Sequence, residues 1–185
     1  SIFLEYSQDS VPGNTVRVKA FSQLHRIHTP DVPLHSYVTM AVTPHDAPKH
    51  LESKLCLARV QDNGRFSYAG GKYEAGKVSA EVRDFGAYCV VADTIPPTIT
   101  PSFKNNADLR SVKEISFSTA DNFAGVKSYT ATIDGKWIAF EQQGNKATHI
   151  FDPKRVSYNG EKHKLIFSAT DNKGNTTTIE RTFIK

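Results

Sequence analysis

Five of the seven histidines lie within 26 residues in the first half of the chain: His25, His28, His35, His45 and His50. Neutral imidazole is a common zinc ligand, so a metal-dependent hydrolase that uses this histidine-rich segment is one hypothesis. Against it, a strand would direct His25 and His28 to opposite faces, and no cysteine or carboxylate accompanies them at ligand spacing. His25, His28 and His35 are therefore weak metal candidates, and solvated or packing roles are favoured.

Two acidic motifs in the second half share one chemistry. Ser118–Asn122 and Ser168–Asn172 each end a strand-like run in Asp-Asn, and a glycine follows each of them. Carboxylates at a domain edge could bind calcium. The spacing lacks the acidic density of an EF-hand, and aspartates at such turns accept hydrogen bonds from their own downstream backbone. The motifs therefore favour turn capping by Asp121 and Asp171.

Three aromatic residues are candidates for a binding surface. Trp137, which is the only tryptophan, Tyr129 and Tyr158 could present flat rings on which a sugar stacks. Alternation places Trp137 on the strand face opposite Ile138 and Phe140, so one of these two faces belongs to the core. Because large aromatic side chains are mostly buried, we expect Trp137 to pack inside its domain. An exposed Trp137 would instead indicate a glycan-binding module.

Other catalytic signatures are missing from the sequence. It contains no nucleophile elbow, phosphate loop, dinucleotide fingerprint or Ser-His-Asp arrangement. Cys56 and Cys89 lie in apolar strand-like runs, and the sequence leaves open whether they are bridged. The net charge of +4 is spread over scattered lysines and arginines, and no apolar run reaches the length of a membrane span. We therefore expect no enzyme, no cofactor in this chain, no nucleic-acid partner and no transmembrane segment.

Period-two alternation of apolar and polar residues predicts an all-β first half. The predicted strands are Thr15–Phe21, Tyr37–Thr43, Leu55–Gln61, Lys77–Arg83 and Phe85–Val91. Asp62-Asn63-Gly64 predicts a hairpin turn, because Asn and Gly tolerate positive φ. Ser22–Ser36 lacks periodicity and is rich in proline and histidine, so it is predicted to be a long loop. Pro44–Leu51 is predicted to be a second loop with one helical turn.

The second half predicts an immunoglobulin-like sandwich of about seven strands. They are Thr98–Thr100, Glu114–Thr119, Val126–Ile133, Lys136–Gln142, Ala147–Phe151, Lys162–Thr170 and Thr176–Ile184. Asp134-Gly135 is the strongest hairpin signal, and it should place Ile133 and Lys136 at adjoining strand ends.

Pro96 and Pro97 mark a joint between the two halves. Adjacent prolines fix φ, remove two backbone donors and make a stiff extended connector. The sequence thus predicts two tandem immunoglobulin-like or fibronectin-like β-sandwich domains at residues 1–93 and 98–185, with the joint at 94–97. Because Ser1–Tyr6 already reads as a strand and no initiator methionine precedes it, we expect the first domain to be truncated at its N-terminus.

Several strings of the sequence resemble bacterial immunoglobulin-like envelope modules. In chain order they are Leu24–His28, Pro33–His35, Arg83–Gly86, Asp93–Thr100, Asp121–Tyr129, Ile133–Trp137 and Thr170–Thr176. Together they are similar to the region that follows the catalytic domain in lysostaphin-like zinc endopeptidases of Gram-negative bacterial envelopes. The resemblance spans almost the whole chain.

The resemblance implies a parent polypeptide that hydrolyses peptidoglycan cross-links with a zinc ion held in its catalytic domain. The family's catalytic motifs are His-x-x-x-Asp and His-x-His. His45 and His50 match neither motif, so no catalytic residue carries over to this chain. We therefore expect a non-catalytic accessory region that positions or tethers its upstream peptidase domain in the periplasm or at the cell surface. The alternatives are a binding module for glycan or cell-wall peptide, and the metal-dependent hydrolase considered above.

Overall fold

The computed structural model describes residues 4–12, 18–152, 158 and 160–185. Within these residues the chain is almost entirely β, with 18 strands and one 3₁₀ helix at Lys49–Lys54. It divides into two compact units, Ser1–Thr94 and Ile95–Lys185, called unit 1 and unit 2 below. The predicted all-β class of immunoglobulin-like sandwiches is confirmed. In the part of the chain that is described, no helix has the length and hydropathy that a membrane crossing would need.

The described residues of unit 1 form nine strands in two antiparallel sheets. The strands are β1 (Tyr6–Asp9), β2 (Lys19–Ala20), β3 (Leu24–Ile27), β4 (Pro33–Val42), β5 (Leu55–Val60), β6 (Phe66–Tyr68), β7 (Lys72–Glu74), β8 (Lys77–Asp84) and β9 (Gly86–Ala92). One sheet has the order β1-β3-β9-β5-β6, with β2 also paired to β9, and the other has the order β4-β8-β7. The predicted strand segments at residues 1–3 and 15–17 lie outside the described residues.

The burial of unit 1 follows from its sequence patterns. β5 and β9 are nearly continuous apolar runs, and they pair with each other inside their sheet, where Leu55, Leu57 and Val90 are completely buried. β8 alternates, and its inward residues Val78 and Val82 pack against the same core. A central strand that is buried on both faces is expected to be apolar throughout, whereas a strand with one solvated face is expected to alternate.

The prediction of a long loop at Ser22–Ser36 is wrong. The segment contains β3, and β4 already begins at Pro33. Leu24 is buried in β3, but the other three residues of this strand show no clear alternation that could identify it. The strand is held by its pairing with β1 on one side and β9 on the other. Pairing between distant segments therefore determines this element.

The predicted hairpin at Asp62-Asn63-Gly64 is confirmed. Gly64 has φ +75°, and the Arg65 N–H donates to Asn63 Oδ1 over 2.9 Å. Val60 of β5 consequently faces Phe66 of β6 in the antiparallel register. Local turn chemistry was enough to predict this connection.

In unit 2, the residues that the structure describes also form two sheets. Its strands are β10 (Thr98–Pro101), β11 (Ala107–Asp108), β12 (Glu114–Ala120), β13 (Val126–Ile133), β14 (Lys136–Trp137), β15 (Glu141–Gln143), β16 (Lys146–Ile150), β17 (Lys162–Asp171) and β18 (Thr176–Ile184). The sheet orders are β10-β12-β16-β15 and β11-β18-β17-β13-β14. The pairing of β11 with β18 is parallel, and the other pairings are antiparallel.

The core of unit 2 is aromatic. Phe117, Phe167 and Phe183 are completely buried. The rings of Phe117 and Phe167 are stacked, with their centroids 4.3 Å apart and their planes 15° from parallel. Stacked and edge-on aromatic pairs contribute about 0.5–1.5 kcal/mol beyond their buried area.

The strand predicted at Lys136–Gln142 is divided into two. β14 pairs with β13 in one sheet, whereas β15 pairs with β16 in the other. The chain crosses between the sheets at residues 138–140, where Ile138 and Phe140 pack against the core. The crossing interrupts the strand although exposed and partly buried residues continue to alternate across it.

Candidate functional site

A tight hairpin positions the tryptophan. Asp134 and Gly135 have φ values of +50° and +77°, and Ile133 faces Lys136 across the turn, as predicted. Positive φ at both central residues is typical of the two-residue turns whose twist matches that of the flanking strands. The hairpin therefore sets the direction in which Trp137 leaves the sheet.

The hairpin is anchored to the neighbouring strand β17 by a carboxylate. Asp134 Oδ1 accepts a hydrogen bond from the Lys164 N–H over 2.8 Å, and Oδ2 lies 2.7 Å from His163 Nδ1. The bond from the Lys164 N–H lowers the pKa of Asp134, and the contact with His163 adds to this effect. The ionised carboxylate thus holds the turn in place at neutral pH.

Trp137 is exposed, and the expectation that it packs in the core is wrong. The residue is 71% exposed, whereas Ile138 and Phe140 on the opposite strand face are partly buried and pack against the core. The Ile138 N–H donates to the Ala131 carbonyl over 3.1 Å, which carries the chain inward immediately after Trp137. β14 lies at a sheet edge and is two residues long, so its outward face meets solvent.

A cleft of about 410 Å³ opens beside Trp137. The residues that line it come from the crossing segment, from β15 and β16, and from the chain that follows β16: Trp137, Ile138, Ala139, Glu141, Thr148, His149, Ile150, Asp152 and Tyr158. Glu141 and Thr148 are cross-strand partners, so their carboxylate and hydroxyl groups lie on one face. Ile150, with 56% of its surface exposed, adds an apolar side chain to the same cleft.

Ring contacts hold the inner side of the cleft. His149 Nδ1 lies 2.8 Å from the Ala139 carbonyl oxygen, to which it donates, and the His149 ring packs against Phe140 and Phe151. This links the crossing segment to β16. A binding surface supported by packed rings keeps its shape and loses little conformational entropy when a ligand binds.

Tyr158 lies in the same cleft. Its ring meets Phe151 and His163 edge-on, with centroid distances of 5.4 Å and 5.1 Å. Burial raises the pKa of the Tyr158 hydroxyl, and the nearby Asp134 raises it further. The hydroxyl is therefore protonated at neutral pH and can both donate and accept a hydrogen bond.

The other sequence-predicted binding residue lies elsewhere. Tyr129 belongs to the aromatic core, where its ring stacks on Phe167 with a centroid distance of 5.8 Å. The structure therefore brings Trp137 and Tyr158 together and leaves Tyr129 apart. Sequence reasoning missed Glu141, Thr148 and Ile150, although the position of Ile150 on the outward face of β16 was an available signal.

The histidines proposed as metal candidates lie on different elements. His25 is in β3, His28 follows it in a left-handed turn with φ +51°, and His35 is exposed in β4. The His28 ring meets Phe85 edge-on, with centroids 5.2 Å apart, which is a packing role. Burial lowers the pKa of His25, and the neighbouring His45 contributes to the same shift.

The two aspartate motifs cap turns. Asp121 Oδ2 accepts hydrogen bonds from the Phe123 and Gly125 N–H groups over 3.0 and 2.8 Å. Asp171 is completely buried, and its Oδ1 accepts from the N–H groups of Lys173 and Asn175 over 2.7 and 2.8 Å. The predicted backbone capping is therefore present at both positions.

Both cysteines are free and buried. They lie in neighbouring strands, with Cys56 opposite Val91 and Cys89 opposite Ala58. Burial raises the pKa of Cys89 to about 12, so its thiol stays protonated and unreactive in the folded protein. The question of a bridge is thereby answered in favour of two thiols.

Comparison with known proteins gives one family match, which covers slightly less than half of the chain. The family model of the Zu5-like domain matches residues 7–93. No curated protein matches the sequence. This match and the observed fold support a β-sandwich module.

Two solved structures show distant similarity. An endo-β-1,4-mannanase from Thermotoga petrophila is 13% identical with a TM-score of 0.39, and the match covers 50% of this chain and 20% of the mannanase chain. The fibronectin(III)-like modules of CbhA from Clostridium thermocellum are 9% identical with a TM-score of 0.38, with coverage of 98% and 93%. The chain thus spans about one fifth of the mannanase chain. Similarity at this level carries no argument about function.

Proposed function

We propose that unit 2 is a glycan-binding module and that the chain is a non-catalytic accessory region. The observation that carries this proposal is the exposed indole of Trp137 on the wall of a shaped cleft. A tryptophan in a small sandwich buries a large apolar area when it is used in the core, so its exposure beside Ile150 needs another reason.

The lining of the cleft suits a sugar. A pyranose has apolar ring faces and a rim of hydroxyl groups. The rings of Trp137 and Tyr158 supply apolar surface with few rotatable bonds, which suits stacking. Glu141 accepts hydrogen bonds from hydroxyl groups, and the Thr148 hydroxyl can both donate and accept. The cleft volume of about 410 Å³ lies within the usual range for small-ligand sites.

The test is a titration of the full chain with the tetramer of β-1,4-linked N-acetylglucosamine, followed by NMR, together with retention on purified peptidoglycan. We expect shifts centred on Trp137 and Thr148, and Trp137→Ala should weaken binding at least tenfold. Tyr37→Ala is the matched control, because Tyr37 is an exposed aromatic residue in unit 1.

Two results would contradict the glycan assignment. One is retention of the Trp137→Ala variant at the wild-type level. The other is peptidoglycan binding that the sugar tetramer does not compete away, which would indicate a cell-wall peptide as the ligand.

The accessory region serves, in this proposal, to hold a cell-wall peptidase domain near its substrate in the periplasm or at the cell surface. The support is the resemblance of its motifs to the region that follows the catalytic domain in lysostaphin-like endopeptidases. Any zinc would then belong to that domain. The gene sequence upstream of the Ser1 codon tests this. His-x-x-x-Asp and His-x-His motifs there support it, and an unrelated coding region refutes it.

A further inference from the structure

β4 is an unusually long strand for the end of a sheet. It has ten residues, Pro33–Val42, whereas the other described strands that end a sheet have two to four. Short edge strands are one way in which proteins avoid pairing with other chains. β4 lacks this protection.

The second half of β4 and the residue after it also lack the side chains that usually block an edge. Residues 38–43 read Val-Thr-Met-Ala-Val-Thr, with no charge and no proline. By contrast, β7 carries Lys72 and Glu74, and β10 ends in Pro101. Charged residues and proline on an edge discourage the addition of a strand.

One side of β4 has no partner strand in the part of the chain that the structure describes. Its other side pairs with β8, from Val38 opposite Val82 to Val42 opposite Val78. In an antiparallel pair, alternate residues direct their N–H and C=O groups away from the partner. A row of backbone donors and acceptors therefore points outward from β4.

This free edge forms one wall of a groove of about 650 Å³, called the β4 groove below. Six consecutive residues, Val38–Thr43, line it together with Leu4, Tyr6, Gln8 and Asp84. Leu4, Tyr6 and Val38 are 60%, 59% and 39% exposed, so three of the seven large exposed apolar residues in the described chain meet here. A cluster of exposed apolar side chains is a feature that interaction surfaces share.

A ring nitrogen without a hydrogen-bond partner lies beside the groove. Gln8 Nε2 donates to Tyr6 Oη over 2.6 Å, and Tyr6 Oη lies 2.8 Å from His25 Nδ1. When the hydroxyl donates to Nδ1, the neutral ring carries its proton on Nε2. Nε2 of His25 is buried and has no hydrogen-bond partner among the described residues. In that tautomer Nε2 is a donor, which an acceptor that reached it would satisfy.

We propose that the β4 groove binds an extended, uncharged peptide segment of a partner protein, which pairs with β4 as an additional strand. Strand addition uses backbone hydrogen bonds for affinity and alternate side chains for specificity. The inward positions of the segment would carry small apolar side chains, because they face Val38, Met40 and Val82.

The probe is an eight-residue peptide that alternates valine and threonine between terminal lysines. Amide hydrogen exchange of the full chain is measured by NMR with and without it. We expect alternate amides within residues 38–43 to exchange at least tenfold more slowly in the complex. A control peptide of the same sequence, N-methylated at every valine and threonine, has no backbone N–H donors at these residues. We expect it to give the amides within residues 38–43 no protection from exchange.

Matched variants locate the site. Val38→Glu puts a charge into the groove and should weaken peptide binding at least tenfold. Tyr37→Ser changes the neighbouring residue, which is exposed but does not line the groove, adds no charge to the edge strand and should leave binding unchanged. Both positions are exposed, and the amide spectrum of each variant verifies folding. Glycan retention depends on unit 2, so failure of one proposal is distinguishable from failure of the other.

Three outcomes overturn the proposal. The first is no protection by the peptide at millimolar concentration. The second is equal binding of the N-methylated peptide, which would show an apolar ligand site without strand pairing. The third is protection of the same amides in the free protein together with a dimer in sedimentation, which would show that a second copy occupies the edge.

Discussion

Trp137 and Phe117 show how position decides what an aromatic side chain contributes. Phe117 is completely buried and its ring stacks on Phe167, whereas Trp137 projects into solvent from a sheet edge. Truncating a buried side chain lowers the free energy of unfolding because it leaves a cavity. Removing an exposed ring leaves no cavity. The two residues therefore contribute differently to the stability of unit 2.

We expect Trp137→Ala to change the free energy of unfolding by at most about 0.5 kcal/mol, as surface substitutions do. Phe117→Ala should lower it by about 3–5 kcal/mol. Urea denaturation followed by circular dichroism measures both. A loss above about 2 kcal/mol for Trp137→Ala would show that the indole has a structural role, and it would remove the main support for the glycan site.

At the scale of elements, the β13–β14 hairpin depends on one carboxylate. Asp134 bonds to the Lys164 N–H and contacts His163, and these interactions lower its pKa. A group whose pKa is lower in the folded state stabilises the fold fully above its unfolded pKa. That contribution disappears as the pH falls through the folded pKa.

Asp134→Ala should therefore destabilise unit 2 by about 1 kcal/mol at pH 7, a typical net value for one hydrogen bond at a half-exposed site. The difference from wild type should begin to shrink as the pH falls below the unfolded pKa of about 4, and it should disappear as the pH falls through the lower pKa of the folded state. Urea denaturation at pH 7 and pH 3 measures it, with Glu161→Ala as an exposed control. If Asp134→Ala lowered the free energy of unfolding as much at pH 3 as at pH 7, the proposed role of the ionised carboxylate would be contradicted.

Elements defined by local chemistry could be predicted, and elements defined by distant partners could not. The turns at Asp62–Gly64 and Asp134-Gly135 follow from residues that tolerate positive φ. β3 and the two-residue strand β11 depend on pairing with segments far away in the sequence.

Of the three aromatic candidates for the binding site, Trp137 and Tyr158 do share a cleft. Its polar residues Glu141 and Thr148 became neighbours only through the register of β15 and β16.

On the scale of the whole molecule, each unit has its own group of buried residues. Leu57 and Val90 belong to the core of unit 1, whereas Phe117 and Phe167 belong to that of unit 2. A compact unit with its own core is the usual unit of cooperative unfolding. The two proposed sites, the β4 groove and the Trp137 cleft, are thus supported by different cores.

We expect this separation to appear in hydrogen exchange of the full chain, followed by mass spectrometry under mild denaturant. Leu57→Ala leaves a cavity in unit 1, lowers its stability by about 2–5 kcal/mol and should accelerate exchange in β5 and β9. Exchange in β17 and β18 should stay at the wild-type rate. Phe167→Ala should have the converse effect, because it removes a ring from the aromatic cluster of unit 2.

If either substitution accelerated exchange equally in both sets of strands, the chain would unfold as one cooperative body. Losses of glycan or peptide binding could then no longer be assigned to one unit without a stability measurement for each variant.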